Sequence, residues 1–238
     1  MIKINSVCKS FNGKPILEDI SLNINPGEVY CLLGKNGAGK TTLLNLIIDL
    51  IKPEKGIIEI FNKPNDKLDI DNKKRIGVLR EDLDLIEELT GDDYINLMGY
   101  FYQIKRDIIL TRKEELAAFF LDEDEQILVK RIATYSKGTK KKVAIISALL
   151  NEPDILILDE PFSGLDPVSS KKLISYLKNY RTSKRIILIS SHNIHNIKQI
   201  ATHAGIINHK KLIFNSSINE LPSLNGEQLE DTLCRMLE

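Results

Sequence analysis

The sequence predicts an α/β fold with parallel strands at its centre, and three observations lead to this expectation. Short apolar runs such as residues 155–158 are followed at once by polar residues, as in strands that a parallel sheet buries on both faces. A glycine-rich loop at residues 34–41 separates one such run from a helix-like segment. The chain has 238 residues, which suits one domain with an insertion.

Composition excludes several classes of protein. The formal net charge is zero, so nothing in the charge balance indicates a nucleic-acid partner. Cys8, Cys31 and Cys234 are far apart, which argues against a disulfide framework and a zinc site. The N-terminus lacks the apolar stretch of a signal peptide, and no run approaches the roughly 20 apolar residues of a membrane span. These features predict a soluble, cytoplasmic protein that reaches a membrane only through a partner.

The strands can be placed in order along the chain. Residues 2–7 and 16–24 alternate apolar and polar side chains, which predicts an antiparallel layer that leads into a buried strand at 28–33. Further strands are predicted at 57–61, 75–79, 155–158 and 185–191, and a terminal hairpin at 204–214. Residues 221–238 read as a polar, weakly amphipathic tail.

A helical insertion is predicted between residues 90 and 133. Tyr94, Phe101 and Tyr102 recur at helical spacing, and Phe119 and Phe120 belong to a second helix. We expect this aromatic stripe to be mostly core, with some of it free to face a partner. A third helix follows at 137–150.

The glycine-rich loop fits the P-loop pattern of phosphate-binding proteins. Its glycines let successive backbone N–H groups point at one anion, and the helix N-terminus adds a partial positive charge. Lys40 is expected to reach the β- and γ-phosphates of a nucleotide, and the Thr41 hydroxyl to ligate Mg²⁺. The nucleotide-binding residues predicted here are Gly34, Lys35, Asn36, Gly37, Ala38, Gly39, Lys40, Thr41 and Thr42.

Three more candidates follow predicted strands. Asp159 and Glu160 come directly after the run at 155–158, and His192 follows the run at 185–191. Ligands of parallel sheets bind beyond the carboxyl ends of the strands, so all three are expected at the same edge as the P-loop. Phe11 follows the first strand, where an adenine-stacking platform and an ordinary core phenylalanine are about equally plausible.

Five stretches in this order resemble the nucleotide-binding subunit of an ATP-binding-cassette (ABC) transporter. Residues 34–41, 135–139, 155–160 and 163–166 and His192 are similar to its Walker A, signature, Walker B, D-loop and H-loop motifs. The resemblance covers nearly the whole chain. It implies a RecA-like P-loop NTPase core with an antiparallel β subdomain at 1–82 and 135–238, and an inserted helical subdomain at 83–134.

Two motifs depart from the family pattern. The signature reads Tyr-Ser-Lys-Gly-Thr instead of Leu-Ser-Gly-Gly-Gln, and it resembles the Tyr-Ser-Lys-Gly-Met form of ABC-2 type exporters. Ser136 and Gly138, the residues that the family uses on the γ-phosphate, are present. Glu81 stands where the family has the Q-loop glutamine; it can still offer oxygen to Mg²⁺, but it adds a charge.

The resemblance also implies roles for the remaining candidates. Asp159 is expected to hold Mg²⁺ through a water, and Glu160 to accept the proton of the attacking water. His192 would help to stabilise charge during hydrolysis. Asp166 of the D-loop is expected at the ATP site, and Phe11 becomes the expected adenine-stacking ring.

The family builds each ATP site from two subunits. One chain carries one P-loop and one signature, so a head-to-tail dimer with a second copy or a homologous ATPase subunit is expected. Lysines crowd the first turns of the predicted helix, where cations oppose the helix dipole by about 0.3–1 kcal/mol each. They form either a solvated face or a surface that meets the other subunit's phosphate. These residues are Lys137, Lys140, Lys141 and Lys142.

The implied function is ATP hydrolysis that powers export through an integral-membrane permease on a separate chain. The protein would then be peripheral on the inner face of the cell membrane, with the permease contact around residues 81–101. The alternative is a soluble cassette ATPase of a cytoplasmic assembly, such as iron–sulfur cluster biogenesis. A DNA-repair or translation cassette is disfavoured, because those carry long coiled coils or two cassettes in one chain.

Overall fold

A computed structural model describes residues 1–121, 126–192 and 194–220. The strands are β1 (Ile2–Phe11), β2 (Lys14–Ile24), β3 (Val29–Leu33), β4 (Lys55–Ile60), β5 (Lys63–Pro64), β6 (Ile76–Leu79), β7 (Ile155–Asp159), β8 (Ile186–Ser191), β9 (His203–Asn208) and β10 (Lys211–Ser217). The helices are α1 (Lys40–Ile47), α2 (Ile70–Lys74), α3 (Gly91–Phe101), α4 (Arg106–Phe120), α5 (Gln126–Val129), α6 (Lys137–Leu149), α7 (Pro167–Tyr180) and α8 (Ile194–Lys198). Short 3₁₀ turns lie at Asn65–Lys67, Ile132–Thr134 and Ile218–Glu220.

The chain forms two compact units. Unit one comprises residues 1–73 and 181–238, and unit two comprises residues 74–180. The predicted tail at 221–238 lies outside the described residues. None of the helices in the described ranges is both long and apolar enough to cross a bilayer.

Unit one contains two sets of strands. β1 pairs in antiparallel fashion with β2 and with β4, as the alternating pattern predicts. β3 runs parallel to β8 and to β9, and β10 closes an antiparallel hairpin on β9. All five residues of β3 and all six of β8 are buried, which explains why β3 and the first four residues of β8 are apolar.

Unit two combines two parallel strands with helices. β6 pairs in parallel with β7. A Cβ atom on Gly77 would lie 2.1 Å from the carbonyl oxygen of Ala148, so only glycine lets α6 lie this close to β6. Helices α3, α4 and α5 occupy the stretch where the insertion is predicted, and the exact subdomain bounds at 82/83 and 134/135 stay a prediction.

The aromatic stripe of the insertion is only partly core. Tyr94 and Phe120 are buried, and the Phe120 ring packs 5.2 Å from that of Tyr176 on α7. Phe101 is exposed at the end of α3, beside the equally exposed Tyr100. The sequence pattern could not distinguish the buried aromatic residues from the exposed ones, because one helix face can extend beyond the elements that cover it.

Candidate functional site

The glycine-rich loop joins β3 to α1, which confirms the strand, loop and helix context that its sequence predicts. Gly37 and Gly39 have φ angles of 81° and 105°, in the left-handed region that favours glycine. A Cβ atom on Gly39 would lie 2.7 Å from Leu17 Cδ2, and one on Gly34 would lie 2.8 Å from the carbonyl oxygen of Ile207. Dense packing of β2 and β9 around the loop therefore requires glycine at both ends.

Lys40 lies across this loop. Its side chain is buried, and its Nζ donates to the carbonyl oxygens of Gly34 at 2.8 Å and Lys35 at 3.3 Å. The Ala38 N–H donates to the Lys35 carbonyl oxygen at 3.1 Å and closes the turn. The ammonium is thus held at the position where the loop can present it to an anion.

The N-terminus of α1 also suits an anion. In the described part of the chain, α1 begins at Lys40 with Gly39 as its N-cap residue, and it has no capping side chain and no acidic residue in its first turn. Thr41 and Thr42 lie in that turn and are half-buried. Backbone N–H groups, a helix dipole and one ammonium form a donor set that fits a polyphosphate.

Phe11 is not a core residue. It ends β1 with 46% of its surface exposed, and the Lys9 Nζ lies 5.3 Å from its ring centroid. It pairs with Lys14 at the β1–β2 hairpin, and Ile16 in the same hairpin lies against Gly39 of the loop. The core alternative is therefore wrong, and adenine stacking at this exposed ring stays a prediction.

His192 lies at the same sheet edge as the loop. Ser191, the last residue of β8, pairs with Leu33, the last residue of β3. His192 and Gly34 directly follow these two paired residues, so both lie at the same edge of the sheet. The His192 side chain is exposed. The prediction that strand ends bring this histidine to the P-loop edge is confirmed within unit one.

Asp159 and Glu160 lie in unit two at the end of β7, and both are buried. Glu160 has a φ of 45°, a left-handed conformation that costs a residue other than glycine about 1–3 kcal/mol. Two donors contact its carbonyl oxygen, the Ser163 N–H at 3.2 Å and the Lys141 Nζ at 3.2 Å. Unusual backbone geometry of this kind tends to cluster at functional sites.

The signature segment begins α6. Ser136 caps the helix, because its Oγ accepts from the Thr139 N–H at 3.1 Å, and its side chain is otherwise exposed. A Cβ atom on Gly138 would lie 3.2 Å from the carbonyl oxygen of Gly164. The signature and the D-loop of one subunit therefore lie against each other.

Asp166 caps α7. Its Oδ1 accepts from the Val168 and Ser169 N–H groups at 2.9 Å each, and its Oδ2 accepts from the Ser169 hydroxyl. These hydrogen bonds stabilise the carboxylate and lower its pKa to about 2. The carboxylate thus caps α7 within the subunit. Its contact with ATP stays a prediction.

The lysine cluster is not one solvated face. Lys140 pairs with Glu87, while Lys141 is buried with its ammonium on the Glu160 carbonyl oxygen. Burial lowers the pKa of Lys141, and the carboxylates of Glu81, Asp159 and Glu160 oppose that shift. The expectation that this lysine meets solvent or another subunit's phosphate is wrong.

Sequence reasoning missed Lys141, although a signal was present. Ala144, Ile145 and Ala148 follow it at spacings of three, four and seven residues, which places the lysine on the apolar face of α6.

Glu81, two residues after β6, is exposed, and its role as a substitute for the Q-loop glutamine stays a prediction.

Residues 17–163 match the family described as ABC transporter. The ABC transporter ATP-binding protein NatA of Bacillus subtilis (strain 168) is 32% identical over 97% of this chain and 94% of its own length. The bacitracin transport ATP-binding protein BcrA of Bacillus licheniformis is 31% identical over 97% of this chain and 74% of its own length.

Solved structures show the same fold. An ATP-binding subunit of an ABC transporter superposes with a TM-score of 0.91 at 26% identity, over the full length of both chains. A dimeric post-hydrolysis state of the ATP-binding cassette MJ0796, bound to ADP and Pi, has a TM-score of 0.81 at 25% identity, over 91% of this chain and 98% of that one. The predicted α/β P-loop NTPase fold is thereby confirmed.

Proposed function

This chain belongs to the ABC transporter family and is one of its ATPases, and on that basis we propose that it powers export through a membrane permease on a separate chain. The observation that carries the proposal is the phosphate cradle formed by the glycine-rich loop. Its buried Lys40 and the N-terminus of α1 present positive charge at one position, as the triphosphate of ATP requires. Hydrolysis there would supply the energy for transport.

Two observations support transport as the use of this energy. The relatives of this chain include a bacitracin transport and a lantibiotic transport ATP-binding protein. The Tyr-Ser-Lys-Gly-Thr signature resembles the form found in ABC-2 type exporters, which favours export as the direction.

The catalytic roles follow from positioning and charge. Lys40 binds the β- and γ-phosphates, Glu160 accepts the proton of the attacking water, and His192 stabilises developing charge. The described residues contain no cluster of three or more acidic, histidine or cysteine side chains that could hold a metal alone. Mg²⁺ takes one or two protein oxygens beside phosphates and waters.

The magnesium ligands would be the Thr41 hydroxyl and the Asp159 carboxylate, with Glu81 as a further oxygen donor. When bound, Mg²⁺ would neutralise charge on the β- and γ-phosphates. Asp159 is the buried last residue of β7, so its carboxylate would be held in place before the ion arrives.

We further infer an ATP-dependent dimer. One chain supplies one P-loop and one signature, and the cassette MJ0796 is described as a dimer with ADP and Pi. The exposed Ser136 hydroxyl at the start of α6 is accessible to the γ-phosphate bound by a second subunit. The helix N-terminus would add to that contact.

The permease contact is proposed at the end of α3. Tyr100 and Phe101 are 75% and 64% exposed, and their rings pack edge to face with centroids 6.4 Å apart. With Gln103, Ile104 and Lys105 they line a cavity of about 420 Å³. Adjacent exposed aromatic rings are typical of protein interfaces, and this pair falls in the stretch where the sequence predicts the contact.

The test is ATP turnover of the full chain, alone and in proteoliposomes with a multispanning membrane protein that co-purifies with it. We expect the membrane protein to stimulate turnover and the Tyr100→Ala/Phe101→Ala variant to lose the stimulation while it retains basal turnover. Val129→Ala is the matched control, because Val129 is 68% exposed in the same unit. No stimulation of the wild type would refute coupling to that permease; stimulation retained by the double variant would refute the contact site alone.

A further inference from the structure

Lys141 differs from every other lysine of the signature helix in its burial. Only 5% of its surface is exposed, although it lies in the second turn of α6 among lysines that reach the surface. Removing an ammonium group from water is unfavourable unless hydrogen bonds and opposite charge offset the loss. The partners that offset it here therefore indicate what this lysine does.

The hydrogen-bond partner of Lys141 is the backbone of Glu160. The ammonium donates to the Glu160 carbonyl oxygen at 3.2 Å, and the Ser163 N–H reaches the same oxygen at 3.2 Å. Glu160 is held in the left-handed region, with a φ of 45°. Because the backbone angles of a residue set the directions of its carbonyl and of its Cβ together, two donors that fix the carbonyl also fix the base of the side chain.

The charge around Lys141 is negative. The carboxylates of Glu81, Asp159 and Glu160 all attract its ammonium. A cation near a carboxylate stabilises its charged form, so the ammonium offsets part of this negative charge.

We propose that Lys141 is a positioning residue for ATP hydrolysis: it holds the backbone of Glu160 in the left-handed conformation and offsets the charge of the acidic residues around it. It does so without touching the nucleotide. The inference rests on the proposed role of Glu160 as the base that accepts the proton of the attacking water.

The test compares two buried lysines of unit two in the full-length chain. Lys141→Met removes the ammonium at Glu160, whereas Lys113→Met removes an ammonium that is 8% exposed and paired with Asp92 on α3. For Lys141→Met we expect kcat to fall about 10- to 100-fold with KM for ATP changed less than about threefold, since ground-state binding is retained. Lys113→Met should change the melting temperature by a similar amount and leave kcat within about twofold.

Two further variants distinguish a positioning role of Lys141 from a general loss of stability. Lys141→Gln keeps a neutral donor and should recover part of the lost turnover. In a Glu160→Gln background, measured by single turnover over hours, Lys141→Met should add little further loss, because residues that act as a unit are not additive. If Lys141→Met does not fold, Lys141→Gln carries the same comparison.

Three results would overturn the proposal. The first is Lys141→Met turnover within about twofold of wild type. The second is a Lys141→Met substitution that lowers turnover by the same factor in the Glu160→Gln background as in wild type. The third is Lys113→Met losing as much kcat as Lys141→Met. Wild-type turnover by Glu160→Gln alone would instead refute the role of Glu160 on which the inference rests.

Discussion

The Nζ of Lys40 lies 2.8 Å from the carbonyl oxygen of Gly34, so the ammonium of the loop's penultimate residue is bonded to its first. A second bond, to Lys35 at 3.3 Å, holds the same ammonium inside the turn. This cation is therefore in place before a nucleotide arrives, and binding exchanges carbonyl contacts for stronger, charge-assisted contacts with phosphate.

Lys40→Ala removes that cation and should lower ATP turnover by orders of magnitude, because charge stabilisation carries most of the catalysis in phosphoryl transfer. The melting temperature should stay within a few degrees of wild type. Lys52→Ala, which removes an exposed lysine of the same unit, should leave turnover unchanged. Wild-type turnover by a pure, folded Lys40→Ala sample would refute the P-loop assignment.

Glu160→Gln keeps the shape of the side chain and removes its basicity, so ATP should remain bound and the dimer should persist. Size-exclusion chromatography with ATP, with ADP and without nucleotide should show a dimer with ATP only. A variant that is inactive yet monomeric at saturating ATP would mean that the isolated subunit does not build the composite site.

Adding Ser136→Arg to the Glu160→Gln variant should abolish the dimer, because a bulky cation replaces the hydroxyl expected at the γ-phosphate. The substitution also removes the cap of α6, which is worth about 1 kcal/mol. Thr90→Arg is the matched control, since Thr90 caps α3 by accepting from the Asp93 N–H at 3.1 Å, the same distance as in the Ser136 cap. If Thr90→Arg abolishes the dimer as fully as Ser136→Arg does, the loss is due to removal of a helix cap and not to the added cation at the γ-phosphate.

Glu81→Gln should be tolerated for ATP binding and should shift the magnesium dependence of turnover or its stimulation by the permease. The physical reason is that the change removes one of three negative charges around Lys141 and a charged oxygen offered to the ion. Turnover against magnesium concentration is the measurement, with Glu88→Gln as an exposed control. Identical curves with and without the permease would make Glu81 an ordinary loop residue.

Asp166→Ala should destabilise the fold in a pH-dependent way. The pKa of Asp166 is lowered from 3.8 to about 2, so its stabilising effect is present above the unfolded value and is lost as pH falls through about 2. Thermal melts should show wild type more stable than Asp166→Ala at pH 6 and a difference that narrows steadily below pH 4. A difference independent of pH over that range would contradict the capping role of the carboxylate.

The sequence by itself determined the elements that depend on local chemistry. Glycine spacing predicts the loop, because backbone angles such as the φ of 105° at Gly39 exclude other residues wherever the loop occurs. Apolar runs predict β3 and most of β8, since a strand buried on both faces carries mainly apolar side chains. The order of motifs then identifies the family, which the comparisons confirm.

Only the tertiary structure decided which side chains are buried and what they touch. Lys141 and Lys137 belong to one lysine-rich turn, yet one lies on the Glu160 carbonyl and the other is exposed. Residue patterns alone left Phe11 between a core position and an adenine platform and placed Phe101 in a mostly core stripe, whereas both lie at the surface. Burial depends on which distant segments pack together; a local pattern can place a side chain on the apolar face of a helix, but it does not name the residues that cover that face.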